Sequence, residues 1–317
     1  MPTPSEELDA VTFGETMGMF IADASGDLAS VETFTRRIAG AETNVAVGLA
    51  RLGFKVGWVS RLGGDYMGRY IRYVLTGEGV DISRVVDDPA RSTGFLVKSH
   101  ADGGDPTVEY FRRGSAASVL SVKDFAADYF LAARHLHVTG IAAALSDDVM
   151  ELSRHAMKTM RAAGRTVSFD PNLRPSLWPN RKVMVERINE LACMADWVLP
   201  GLSEGRILTG LSTAEGVSAF YLDRGCKVVA IKLGPEGAYV RTPKVAEIVP
   251  GVAVERVVDT VGAGDAFAVG FVSAMFEDLG VVAAAARGNR LGALAIQVIG
   301  DMDGLPTRAQ LQAAETA

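Results

Sequence analysis

What this sequence has little of narrows the reading first. Its 317 residues hold two cysteines, Cys193 and Cys226, with no CxxC spacing. Two thiols in a chain of this length are no disulfide scaffold and read as small buried hydrophobes. The four histidines, His100, His135, His137 and His155, form no metal-ligand pattern, and His135 and His137 alternate in HLHVTG as strand residues do. Basic charge is not in excess: the net charge is −6. That argues against a general nucleic-acid binder, whose footprint is a basic patch, and leaves room for a local basic pocket for an anionic small molecule. No uninterrupted apolar run reaches the ~18 residues of a membrane span; VVAAAARGNRLGALAIQVIG is broken by Arg287, Asn289 and Arg290. The opening MPTPSEELDA is polar and acidic, without the layout of a signal peptide. The expectation is a soluble, cytoplasmic protein with neither membrane nor nucleic acid as partner.

What is present is a chain 48% apolar and 22% charged, enough to bury a sizeable core. Strand-like runs alternate with helical ones. VTFGETM (11–17), KVGWVSRLG (55–63), HLHVTG (135–140), TVSFD (166–170), DWVLP (196–200) and KVVAIKLG (227–234) read as strands. Residues 42–53, 64–79, 146–163 and 180–194 have helical spacing. This βα alternation predicts a doubly wound, mainly parallel sheet in a three-layer α/β/α arrangement. Residues 18–37 and 92–113 break the rhythm; the second stretch reads as a hairpin around HADGGDP. Both are expected to form a small β-sheet lid inserted in one domain spanning 1–317. Exposed lid strands offer edges that a second subunit could cover, which predicts a homodimer or larger homo-oligomer.

The most informative stretch is VVDTVGAGDAF (257–267). Two apolar residues, read as the end of a strand, run into Asp259; Gly262, Ala263 and Gly264 follow, then Asp265 and an apolar helical stretch expected to start near it. A helix start presents orphan N–H groups and partial positive charge, a site for phosphate-like anions, and glycine lets the backbone approach a ligand closely. An aspartate beside such a turn can accept the proton of an attacking hydroxyl while the amides stabilise a moving phosphoryl group. Asp259, at the end of that strand, is placed to organise a cation. A helix N-cap would need only one of these carboxylates.

DTVGAGDAFAVG (259–270) closely resembles the C-terminal signature of the ribokinase-like (PfkB-type) carbohydrate kinases. AGAETNVAVGLARLG followed by GGDYMG, within 39–68, resembles the family's N-terminal signature, with Gly40, Asn44, Ala46, Gly53, Gly63 and Asp65 in step. The two stand in the family's order. The resemblance implies the ribokinase-like fold, ATP and Mg²⁺, and leaves open a monovalent cation. It implies that Asp265 is the catalytic base and that Gly262, Ala263 and Gly264 form the anion hole. No Walker A loop is present. IKLGPEGAYV (231–240) resembles the nucleotide-side strand–turn–strand, placing Lys232, Gly234 and Gly237 near ATP; alone, GPEG is a tight turn. ARGNRLGALAIQ (286–297) resembles the helix beside the adenine, with Asn289 as a contact. The family's Asn-x-x-Glu is GLSE (201–204) here: Glu204 matches as the metal-linked residue, and Gly201 stands where asparagine is usual.

EYFRRGSAAS (109–118) and FDPNLRPSLW (169–178) look like the branch of the family that acts on the sugar acid 2-keto-3-deoxygluconate. By that resemblance Arg112 and Arg174 bind the carboxylate through paired guanidinium hydrogen bonds, Tyr110 lines the sugar site, and Asn44 and Gly40 contact sugar hydroxyls. Alternatives stay open: another sugar such as fructose or a sugar phosphate, or an idle sugar or nucleotide sensor. A nicotinamide dehydrogenase would need GxGxxG after the first strand, and FGETMG (13–18) does not supply it.

Overall fold

The computed structural model describes residues 7–100 and 106–316. The strands are β1 (Leu8–Phe13), β2 (Met17–Ala22), β3 (Phe34–Ala39), β4 (Val56–Gly63), β5 (Val85–Asp88), β6 (Phe95–Lys98), β7 (Val108–Phe111), β8 (Ala133–Thr139), β9 (Thr166–Asp170), β10 (Trp197–Val198), β11 (Val228–Lys232), β12 (Gly237–Arg241) and β13 (Ala246–Pro250). Nine form one sheet in the order β13-β12-β11-β10-β9-β8-β1-β4-β5; β3-β2-β6-β7 form a second. From β11 to β5 every neighbour is parallel. The β11–β12 and β12–β13 pairs are antiparallel.

The helices are α1 (Ala41–Arg51), α2 (Tyr66–Gly77), α3 (Ala127–Ala132), α4 (Gly140–Ala143), α5 (Asp147–Ala162), α6 (Arg181–Ala192), α7 (Leu202–Thr209), α8 (Ala214–Leu222), α9 (Ala263–Phe276), α10 (Val281–Ala295) and α11 (Arg308–Thr316). They cover the large sheet on both faces, so its central strands are buried on both sides. Val11, Phe13, Leu136, Val138, Val167 and Phe169 pack in one core with α5, α6 and α8. Ala10, Trp58, Ala230 and Val240 pack in the other with α1, α9 and α10. Helix α9 is apolar all round because it is enclosed: every residue from Asp265 to Ala274 is buried. At Gly270 a Cβ would meet the Arg287 carbonyl oxygen at 2.6 Å, so α9 and α10 touch through backbone.

Among the described residues, no helix is long and apolar enough to cross a membrane. His135 and His137 are strand residues, as expected. They face the α9 side and share the Ser168 hydroxyl, each ring 2.8 Å from it. Burial lowers both, His137 to about 3, so neither is a base at neutral pH.

Three boundaries differ from expectation. VTFGETM is not one strand: β1 ends at Phe13, Gly14 takes φ 155°, and Met17 begins β2 in the other sheet. The apolar pair before Asp259 forms no strand, so Asp259 lies in an irregular segment. Helix α9 starts at Ala263, which puts Asp265 inside the first turn, not at its cap. The four-stranded sheet is built from the two segments that broke the rhythm; the hairpin tip at 101–105 lies outside the described residues.

Candidate active site

The large sheet delivers polar side chains at the carboxyl ends of its parallel strands, where open α/β sheets place their ligands. Glu15 follows β1, Thr139 ends β8, Asp170 ends β9 and Lys232 ends β11. Helix α9 starts above them. Its N-cap, Gly262, has φ 84°, and a Cβ there would meet the Asp301 carbonyl oxygen at 2.7 Å. Glycine is therefore required by conformation and by space. No side chain caps this helix, so its first N–H groups have no partner within the helix.

Asp265 is 8% exposed and held from two sides. Asn44 Nδ2 donates to Oδ2 at 2.7 Å, and Asn172 Nδ2 donates to Oδ1 at 3.2 Å. Asn172 reaches it from φ 39°, a left-handed conformation that asparagine tolerates. Burial pushes the Asp265 carboxyl up to about 7; the Asn44 bond opposes the rise, the charges of Asp170 and Asp301 add to it, and Lys232 opposes it. A carboxylate poised there suits general base work near neutral pH.

A cavity of about 450 Å³ opens over this turn. Met17, Ala39 and Leu96 of the small sheet face Asp170, Lys232, Gly262, Gly264 and Asp265 across it. Gly40, Asn44, Tyr110, Arg112, Arg174 and Glu204 also line it. Arg112 is nearly buried, with Nη2 2.5 Å from Glu15 Oε2. That contact is not an aligned hydrogen bond: Arg112 Nε and Nη2 are buried without a hydrogen-bond partner among the described residues. The Ser115 hydroxyl donates to the other Glu15 oxygen. Arg174 is exposed and donates to the Leu173 carbonyl at 2.9 Å. Lys232 Nζ pairs with Asp170 Oδ2 at 2.6 Å and lies 3.4 Å from where a Cβ on Gly264 would be. A second cavity of about 580 Å³, among Leu8, Val56, Asp81 and Tyr129, opens by the amino ends of β1 and β4 and touches none of the predicted residues.

Not every expected residue lines this cavity. Ala263, Gly234, Gly237 and Asn289 do not line the 450 Å³ cavity. Gly234 and Gly237 shape the β11–β12 turn at φ 64° and 104°. The Asn289 amide donates to the Val249 and Pro250 carbonyls at 3.1 and 2.9 Å, which fastens α10 to β13 and leaves only its oxygen for an adenine. Asn44, expected on sugar hydroxyls, directs its N–H to Asp265. Asp259, expected in the cation environment, is already paired. Lys98 Nζ lies 2.5 Å from its Oδ2 and Val261 N–H donates to its Oδ1. Glu204 accepts from the backbone N–H groups of Leu173 and Gly201, both at 2.7 Å, so it ties the 170–174 loop to α7. Among the described residues no group of three or more acidic, histidine or cysteine side chains is arranged to hold a metal ion.

Sequence reasoning missed Glu15, Lys98, Asp170, Asn172 and Asp301. Asp170 and Asn172 sit in the quoted FDPNLRPSLW, where the signal was an acidic strand end followed two residues later by an asparagine. Lys98 ends the apolar run of β6. Glu15 and Asp301 carried no such signal.

Comparison with known proteins bears on this geometry. Residues 7–308 match the pfkB family carbohydrate kinase profile. The chain belongs to the pfkB carbohydrate kinase family. It is 53% identical over 306 residues to a 2-dehydro-3-deoxygluconokinase of Bacillus subtilis (strain 168), covering 96% of this chain and 94% of that one. A PfkB protein from Polaromonas sp. JS666 superposes with a TM-score of 0.90 at 52% identity, covering 96% of this chain and 99% of its own. A fructokinase double mutant from Vibrio cholerae O395, solved in a fructose, ADP and potassium ion bound form, superposes with a TM-score of 0.85 at 29% identity, with 98% and 99% covered. The pfkB family thus accounts for both sheets, and the large sheet with its flanking helices is the ribokinase-like architecture expected.

Proposed function

We propose that this chain is an ATP-dependent kinase that phosphorylates a primary hydroxyl of a sugar acid, with 2-keto-3-deoxygluconate as substrate and its 6-phosphate as product. The observation that carries this is one cavity with a poised carboxylate and an uncapped helix start on one wall, and two guanidinium groups, Arg112 and Arg174, on others. The relative from Bacillus subtilis bears the name of that activity. The chain is read as one kinase domain whose small sheet acts as a lid.

In this reading the sugar hydroxyl lies against Asp265. As its oxygen attacks the γ-phosphorus, Asp265 takes the proton, the bond from phosphorus to the bridging oxygen breaks, and ADP leaves. The N–H groups at the start of α9 hold the charge that spreads over the phosphoryl oxygens. Asn44 and Asn172 keep Asp265 aimed, and Lys232 offers positive charge beside the turn. Arg112 and Arg174 hold the far end of the sugar acid, which fixes which hydroxyl reaches Asp265. Gly234, Gly237 and Asn289 belong to the nucleotide side. Mg²⁺, when bound, would neutralise charge on the ATP phosphates. An ion held mainly by the phosphates and its own waters, as is usual for Mg²⁺, would fit these residues, with Glu204 as the cavity carboxylate that would contribute charge toward it.

A second reading is a kinase for a neutral sugar such as fructose; the Glu15 partner of Arg112, which already offsets its charge, favours it. An ATP-consumption assay over a panel of sugar acids and neutral sugars decides. The sugar-acid reading expects a kcat/KM for 2-keto-3-deoxygluconate well above that for fructose; the reverse order would overturn it.

A further inference from the structure

Below the anion turn lies a positive charge that the transfer itself does not use. Lys98 ends β6 in the small sheet, and alternation turns Leu96 and Lys98 to the buried face and Phe95 and Val97 to the other. Lys98 is 2% exposed. A lysine is buried that far only when its ammonium is paired. Here Nζ lies 2.5 Å from Asp259 Oδ2 and 3.7 Å from Asp301 Oδ1.

These carboxylates belong to the two segments that build the turn. Asp259 Oδ1 receives the Val261 N–H, and Gly262 packs on the Asp301 backbone. Two buried carboxylates beside a helix start would repel the phosphoryl group which that start is to receive. Burial pushes Asp301 up to about 6; Lys98 opposes that rise and the Asp259 charge adds to it. The site therefore demands a compensating cation. A potassium ion is one way to supply such charge, and the Vibrio cholerae fructokinase was solved in a potassium-bound form. In this chain the ammonium already stands against Asp259, where a metal ion would have to displace it.

We propose that Lys98 is a positioning residue that supplies the anion turn's fixed positive charge from the lid, so that this chain transfers phosphate without a monovalent cation. The proposal rests on the kinase reading of the site. Because the charge rides on β6, seating the lid sheet and ordering the turn become one event.

The test uses the full chain with 2-keto-3-deoxygluconate, ATP and Mg²⁺. Potassium and ammonium are first replaced by tetramethylammonium, then restored. The wild type is expected to keep its kcat throughout. Lys98→Ala is expected to lose on the order of 10²-fold in kcat, as when one electrostatic donor is removed from a transition state, with the sugar KM little changed. Added potassium or ammonium should return about tenfold or more of that loss, a rescue that a merely structural tie would not show. A wild type that needs potassium overturns the proposal, and so does a folded Lys98→Ala whose turnover ignores both ions. Should Lys98→Ala fail to fold, Lys98→Met replaces it, and the wild-type ion dependence decides on its own. If no sugar in the panel is phosphorylated under any ion, the kinase reading fails instead. The ATP-induced shift in wild-type melting temperature then still tests Lys98: independence from potassium supports it, and a potassium requirement contradicts it.

Discussion

In the proposed mechanism Asp265 must be buried enough to be a base near neutral pH and still be ionised when it acts. Its carboxyl is pushed up to about 7, chiefly by burial, so kcat/KM should fall as pH drops below about 7, with one proton taken up; a profile flat from pH 5 to 8 would contradict this. The same shift acts on stability. A carboxyl whose folded pKa is raised binds its proton more tightly when folded, so the cost of ionising it grows as pH rises toward and through 7. Asp265→Asn should therefore melt above the wild type at pH 8 and lose most of that advantage by pH 5, while turnover falls roughly 10²–10⁴-fold. Arg174→Ala should raise KM for sugar acids about 10–100-fold, the loss of one charge-assisted contact, and leave KM for neutral sugars unchanged. Equal effects on both would remove the carboxylate argument. The residues of the turn were legible because GAGD is local: one segment carries both amides and carboxylate. Asn172 and Glu15 were not, because their roles arise from distant contacts, Asn172 with Asp265 and Glu15 with Arg112.

At the scale of elements, the site depends on α9 starting where it does. Gly262 holds a left-handed φ against the Asp301 backbone. Gly262→Ala should cost about 1–2 kcal/mol for the conformation alone, displace the 301 segment, and reduce kcat more than sugar affinity. A variant with wild-type melting and turnover would show that the turn does not need this geometry. Helices were the most legible elements: residues 146–163 and 180–194 became α5 and α6 to within two residues at each end, because their apolar spacing and their caps, Ser146 and Asn180, agree. The early strands were less so. VTFGETM reads as continuous, yet Gly14 breaks it and sends the chain from one sheet to the other, which only tertiary packing decides. The segment before α9 misled for a similar reason: Val257 and Val258 are apolar, but Val258 N–H pairs with the Ile296 carbonyl and joins no strand.

At the scale of the whole molecule, the cavity is closed from two sheets, and the small sheet contributes Tyr110, Leu96 and Met17. If that sheet seats on the substrates, ATP and sugar acid together should slow amide exchange in β6 and β7 while leaving β12 and β13 little changed. Uniform slowing would point to global stabilisation instead. The doubly wound architecture was readable from βα alternation, and the small sheet from the two stretches that broke it. The ion cluster joining them was not, since Lys98, Asp259 and Asp301 come from three remote segments. The central claim is that backbone amides at the start of α9 receive the phosphoryl group while Asp265 deprotonates the sugar. A crystal structure with a non-hydrolysable ATP analogue and 2-keto-3-deoxygluconate tests it most directly. The account predicts the γ-phosphate on the amides of 262–264 and the primary hydroxyl within hydrogen-bonding distance of Asp265; a terminal phosphate directed away from α9, or a hydroxyl beyond reach of that carboxylate, would contradict it.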